Sequence, residues 1–189
     1  TLVKDIRTAT ETSPSTPGHF CELTAGRTCF AADDGSNGRE LWLTDGTAAG
    51  TVLVRNLKPG GGASNPTDLE RLGNLALFAA DDGTNGTELW RTDGTFAGTT
   101  LVKDIKTTDG SEPRGLLRVR DRIYFAAIDD NYDEELWRTD GTTAGTVRVV
   151  DLDPSDSSRP RALCEIGYTG RFVFAATVNS DTELYVSDG

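Results

Sequence analysis

The chain has 189 residues, of which 36% are apolar and 26% charged, with 21 glycines and no methionine. That is enough apolar material for a core with many tight turns, the composition of an all-β domain, and no stretch approaches the roughly eighteen uninterrupted apolar residues of a membrane-spanning helix. A net charge of −11 argues against nucleic acid and anionic lipid, which are bound through clustered Lys and Arg, and leaves cations, basic proteins and neutral sugars as compatible partners.

In chain order the first element is residues 1–6, TLVKDI, which has a strand-like pattern but no neighbour of its own. A unit then repeats four times, opened by Pro17, Pro66, Pro113 and Pro160. Each unit carries a Phe-Ala-Ala run from Phe30, Phe78, Phe125 or Phe174, and an Asp-Gly turn at Asp45, Asp93, Asp140 or Asp188. Between them lie Glu40-Leu41-Trp42, Glu88-Leu89-Trp90, Glu135-Leu136-Trp137 and Glu183-Leu184-Tyr185, at intervals of 48, 47 and 48. Such a period signals a repeat architecture.

Within the second unit, turn residues separate four short strands, 68-DLERL-72, 75-LALFAA-80, 87-TELWRTD-93 and 99-TTLVKDI-105. The second and fourth are apolar on both alternating faces, which suits a sheet packed between neighbours. Four antiparallel strands in about forty-five residues is the size of a propeller blade. The last unit stops at Asp188-Gly189, before its fourth strand, whereas TLVKDI at the start matches that strand. The sequence therefore predicts an all-β, four-bladed β-propeller of four-stranded antiparallel blades, a single domain over 1–189. The blades span about 17–57, 64–105, 111–152 and 158–189, and residues 1–6 join the last to close the ring. A monomer is expected. The expected hairpin register sets Trp42 opposite Leu53 and Glu40 opposite Arg55; it likewise pairs Glu88 with Lys103 and Glu183 with Lys4.

The phrases 87-TELWRTDGTFAGTTLVKDI-105 and 39-RELWLTDGTAAGTVLVRNL-57 resemble the bacterial ELWxxDGT repeat family. The resemblance covers essentially the whole chain and is most eroded in the fourth unit, at Tyr185 and Ser187. It implies a secreted or surface-attached bacterial protein and brings no defined activity. A chain that begins at Thr1 and lacks methionine fits a mature product after signal removal or an excised fragment.

Candidate sites divide into repeated and unrepeated features. Trp42, Trp90, Trp137 and Tyr185 could stack sugars, but a residue repeated in every blade usually serves packing. Trp137 differs in facing Arg148 rather than leucine, which allows a cation–π contact. The Asp-rich turns offer Asp33, Asp34 and Asn37, and Asp81, Asp82 and Asn85, as oxygen ligands for calcium; the same residues suit tight turns, and no cofactor is required. At the start of each unit's first strand, His19, Asp68, Arg114 and Arg161 vary between blades, so an anion pocket at one channel mouth is a candidate site. Cys21, Cys29 and Cys164 allow a Cys21–Cys29 or a Cys21–Cys164 bridge or free thiols, and spacing does not rank them.

With one histidine there is neither a His-based metal set nor a nucleophile triad, and no carboxylate pair stands out for glycoside hydrolysis. A non-catalytic extracellular binding or adhesion module is expected, with a carbohydrate or surface polymer as ligand. The alternatives are a structural segment of a longer repeat protein and a carboxylate-based glycoside hydrolase.

Overall fold

The computed structural model describes residues 1–7 and 13–189, and among these there are fifteen strands and no helix. The strands form four antiparallel sheets, one per sequence unit. The first sheet contains β1 (Gly18–Glu22), β2 (Thr28–Asp33), β3 (Arg39–Thr44) and β4 (Val52–Arg55). The second contains β5 (Thr67–Leu72), β6 (Leu75–Asp81), β7 (Thr87–Thr92) and β8 (Thr100–Lys103). The third contains β9 (Arg114–Val119), β10 (Arg122–Ile128), β11 (Glu134–Thr139) and β12 (Val147–Val150). The fourth has three strands, β13 (Arg161–Glu165), β14 (Phe172–Val178) and β15 (Asp181–Ser187). The leading strands β1, β5, β9 and β13 are neighbours in that order, which gives a propeller-like arrangement.

The two-residue period of a strand explains why both faces are apolar. In β3, Leu41 and Leu43 pack forward against Phe78 and Trp90 of the second sheet, while Trp42 packs backward with Phe30, Ala32 and Ile6. The same division recurs one unit later, where Leu89 packs forward with Phe125 and Trp137. Trp90 and Trp137 are thus buried between sheets and Trp42 beneath the N-terminal segment, all three inaccessible as platforms, while Tyr185 is half-buried.

Each Thr-Asp-Gly-Thr turn closes on itself. The Thr44 and Thr51 hydroxyls lie 2.7 Å apart, and Asp45 Oδ1 accepts from the amide and hydroxyl of Thr47. A side chain at Gly50 would place its Cβ 2.0 Å from Asp45 Oδ1, so this Asp-bonded turn requires glycine there.

Trp42 does lie opposite Leu53, and Trp137 opposite Arg148. The predicted charge pairs are not formed, because a bulge between the leucine and the tryptophan sets Arg55 opposite Leu41 and Lys103 opposite Leu89. Arg55 instead donates to the Thr99 carbonyl of the next sheet, and Lys103 to that of Thr146. Glu40 is fully buried and accepts from Leu57 N at 3.0 Å, Ser64 N at 3.0 Å and Ser64 Oγ. Glu88 likewise accepts from Ile105 N, Lys106 N, Ser111 N and Ser111 Oγ, and Glu135 from Leu152 N, Ser158 N and Ser158 Oγ. Each serine also offers its carbonyl to the following sheet, through Asp81 N, Ile128 N and Thr177 N. A buried carboxylate therefore ties the end of one unit to the start of the next.

The N-terminal segment departs from expectation. Lys4 Nζ donates to the Thr51 carbonyl at 2.7 Å and Ile6 packs on Phe30, Ala32 and Trp42, so residues 1–6 lie against the first sheet. They form no ladder with β15, whose outer edge is unpaired among the described residues. Glu183, expected opposite Lys4, is exposed. Cys21 and Cys29 are partners across β1 and β2, and all three thiols are free. Burial pushes Cys21 up to about 11 and Cys29 up to about 12.

Replacing Glu88 by Ala should destabilise the fold by about 1–3 kcal/mol, because it leaves three buried amides without an acceptor; urea unfolding measures this. Burial raises the Glu88 carboxyl above its ordinary 4.5, against the pull of its hydrogen bonds. The folded state then holds its proton more tightly than the unfolded state, so this contribution is fully present below 4.5 and declines as pH rises through the folded value. Wild-type stability should accordingly fall relative to that of Glu88→Gln as pH is raised, and a constant difference would contradict this assignment.

Candidate functional site

The third unit breaks the repeat in two places that meet in space. Its loop between β10 and β11, 129-DDNYDEE-135, is one residue shorter than 33-DDGSNGRE-40 and lacks its glycines, and Arg148 stands where Leu53 and Leu101 stand in the first two units. Together with the 151–157 linker they enclose a cleft of about 360 Å³ lined by Asn131, Tyr132, Asp133, Arg148, Asp151 and Ser155 among others.

Local bonding fixes each wall. Asp129 Oδ1 accepts from Asn131 N at 2.8 Å and Asp133 N at 3.3 Å, and the Asp129 carbonyl accepts from Tyr132 N. Tyr132 has a φ of 63°, an uncommon conformation for an aromatic residue. The residue is 67% exposed, with Lys106 Nζ 3.9 Å from its ring centroid. On the opposite wall Asp153 Oδ1 accepts from Ser155 N and Oγ, and Ser157 Oγ accepts from Glu134 N.

Charge is concentrated at the base. Arg148 lies 3.1 Å from Asp133, 3.7 Å from Asp129 and 3.3 Å from Asp151. Burial raises the Asp133 carboxyl, helped by the charges of Asp151 and Asp129 and opposed by Arg148. Asp133, Glu135 and Asp151 each present an oxygen within 4.8 Å of the others. Among these, Glu135 is already bonded to Ser158 and Leu152, and Arg148 holds the two aspartates. The cleft thus combines carboxylate acceptors, one guanidinium and a solvent-facing ring, a set suited to binding hydroxyl-bearing or cationic groups.

The sequence-derived candidates are placed as follows. Trp137 is opposite Arg148 along the strand, but Arg148 turns to the aspartates, and the cation over the Trp137 ring is Lys103, at 5.5 Å. Asp34 accepts from Ser36 N, Asn37 N and Asn37 Nδ2, and Asp33 from Gly35 N and Arg7. Asp82 and Asn85 repeat the first pattern, and Asp81 accepts from Gly83 N and Lys58. These carboxylates serve the turns and neighbouring cations, and Asn37 Oδ1 accepts from Asn56 Nδ2 at 2.8 Å.

His19, Asp68 and Ala162 all have positive φ, at 54°, 51° and 55°, and lie within equivalent bulges of β1, β5 and β13. His19 is exposed, Asp68 accepts from Gly115 N at 3.1 Å, Arg114 pairs with Glu134, and Arg161 donates to the Arg159 carbonyl. Asp68 thus bonds across to the leading strand of the next sheet, Arg114 and Arg161 are engaged within or beside their own sheets, and no side-chain pair joins the four residues to one another. Asp133, Asp151 and Tyr132 were missed by sequence reasoning; the shortened loop was the available signal.

No family model matches the chain, and no curated protein matches its sequence. Among solved structures it is similar to the S511A mutant of puromycin hydrolase complexed with PGG, at a TM-score of 0.56 and 19% identity, covering 85% of this chain and 25% of that chain. A structure from a study of two prolyl endopeptidases gives a TM-score of 0.47 at 12% identity, covering 86% of this chain and 25% of that chain. The chain spans about a quarter of the length of these two proteins, and the first likeness supports the fold alone.

Arg148→Ala should leave Asp129, Asp133 and Asp151 repelling one another. Arg148 is about one-third exposed, so screening limits the cost to about 1 kcal/mol. The loss should be largest at low salt and should shrink as salt screens the carboxylates; thermal melts across a salt series read it directly.

Proposed function

We propose that the chain is a non-catalytic binding module whose ligand, a carbohydrate or hydroxyl-rich surface polymer, enters the cleft of the third unit. The observation that carries this reading is the coincidence of both departures from the repeat at one polar cleft. Two departures of one unit that meet in space most simply share a task of their own. Carboxylate and serine oxygens accept from sugar hydroxyls, Arg148 and the loop amides donate, and the exposed Tyr132 ring offers a flat apolar face beside them.

Catalysis by paired carboxylates is disfavoured in this proposal, because Glu135 is committed to backbone and serine donors and Arg148 engages the aspartates. Under the same reading no cofactor is required, and calcium is not assigned to the Asp-rich turns. The ELWxxDGT-like repeats support placement in that family and a secreted or surface-attached location. The finer architecture is also a proposal: a propeller in which a TLVKDI strand completes the fourth sheet at β15. Its support is the identity of residues 1–6 with 100–105, the latter including β8.

A glycan array followed by titration calorimetry tests the ligand class. Tyr132→Ala should weaken binding by about tenfold, corresponding to roughly 1.4 kcal/mol of stacking, while leaving the melting temperature nearly unchanged. Absence of binding by the wild-type protein to any glycan would remove the carbohydrate reading.

A further inference from the structure

We propose that β15 and Thr1–Ile6 are the two halves of an assembly interface, and that a second copy of this chain supplies the missing half to each. The inference rests on reading TLVKDI as the strand that completes the fourth sheet, and it names the donor. Residues 1–6 already occupy the outer-strand position of a sheet preceding the first. Lys4 donates to the Thr51 carbonyl as Arg55 does to Thr99 and Lys103 to Thr146. Ile6 packs on Phe30, Ala32 and Trp42 as Ile105 packs with Phe125, Ala127 and Trp137. What the segment lacks is the strand on its other edge, leaving Leu2 78% exposed.

The acceptor shows the complementary deficiency. Leu184 is 73% exposed, although its equivalents Leu41, Leu89 and Leu136 are fully buried against the following sheet. Beside the first sheet, Leu2, Val3, Ile6, Pro17, Phe20 and Phe30 line an apolar groove of about 280 Å³, where a preceding sheet would place such a leucine. The carboxylate tie is split in the same way. Ser15 accepts from Asp33 N through its carbonyl as Ser64 does from Asp81 N, yet Ser15 has no glutamate, and Glu183 has no serine, among the described residues. Three such ties form, and Ser15 and Glu183 are the unjoined halves of a fourth.

Geometry favours a second copy over the chain's own end. The N-terminal segment is anchored to the first sheet by Lys4–Thr51 and by the Arg7–Asp33 ion pair at 3.0 Å. No ladder links the first and fourth sheets. Joining them within one chain would require the three packed inter-sheet interfaces to change angle, whereas close-packed interfaces resist continuous deformation. A reciprocal pair requires no such change: each copy gives Thr1–Ile6 and receives it, which a two-fold axis permits. Main-chain bonds along β15, burial of Leu184 and Leu2, and two Glu183–Ser15 ties would then form together.

The β7–β8 register, with Trp90 opposite Leu101, places Tyr185 opposite Leu2 of the donor. In a Cys164→Ser background, one chain carrying Leu2→Cys is co-expressed with another carrying Tyr185→Cys, and disulfide formation and sedimentation mass are measured. A disulfide between the two chains at about twice the single-chain mass, with Leu184→Lys returning the mass to one chain, is the expected result. A chain carrying both cysteines that links only within itself, at single-chain mass, would overturn the second-copy donor while upholding TLVKDI as the completing strand. Failure of either combination to cross-link, at single-chain mass, would overturn both readings.

Discussion

The buried carboxylate at the start of each Glu-Leu-Trp run is the constraint on which the arrangement of sheets depends. A carboxylate removed from water is unfavourable unless its oxygens are satisfied. Glu40, Glu88 and Glu135 find their donors not across the hairpin but in the linker that leads to the next sheet. The acceptor lies on one sheet and the serine that meets it also anchors the next. Satisfying the charge therefore fixes the spacing between successive sheets, and the apolar layers of leucine, phenylalanine and tryptophan fill the space so defined.

How far this was legible in the sequence differs from element to element. The alternation in Phe-Ala-Ala and Glu-Leu-Trp specifies strands with two apolar faces, and the Trp42–Leu53 register follows from the length of the Thr-Asp-Gly-Thr turn. The role of Glu40 does not follow from local pattern. Its partners are 17 and 24 residues away, in a segment without periodicity, and a bulge removes Arg55 from the place where simple pairing puts it. A signal was nonetheless present: Ser15, Ser64, Ser111 and Ser158 each stand two residues before the proline that opens a unit. The intervening residues Thr16, Asn65, Glu112 and Arg159 all have positive φ, between 42° and 49°. Such a turn shows in sequence only as a recurrent serine and proline.

The cleft of the third unit was harder to read, because its walls come from distant segments. Asp133 and Asp151 are unremarkable in an acidic chain until folding brings both to Arg148. Arg148 was singled out for facing Trp137, and the facing is real along the strand. Its side chain nevertheless follows the stronger attraction of carboxylates over an aromatic face already covered by Lys103. Strand register determines where a residue begins; the charges within reach of a long side chain determine where it ends.

The sheet-to-sheet tie has a consequence for how such a chain can change length. Because the glutamate of one unit and the serine of the next are chemically the same at every junction, excision of the whole second unit would bring Glu40 to Ser111 in place of Ser64, and duplication would add a junction of the same kind. Growth and shrinkage by whole units thus need no new contact to be invented, while a partial excision would strand a buried charge. Recombination in the coding sequence is thereby restricted to steps of one unit.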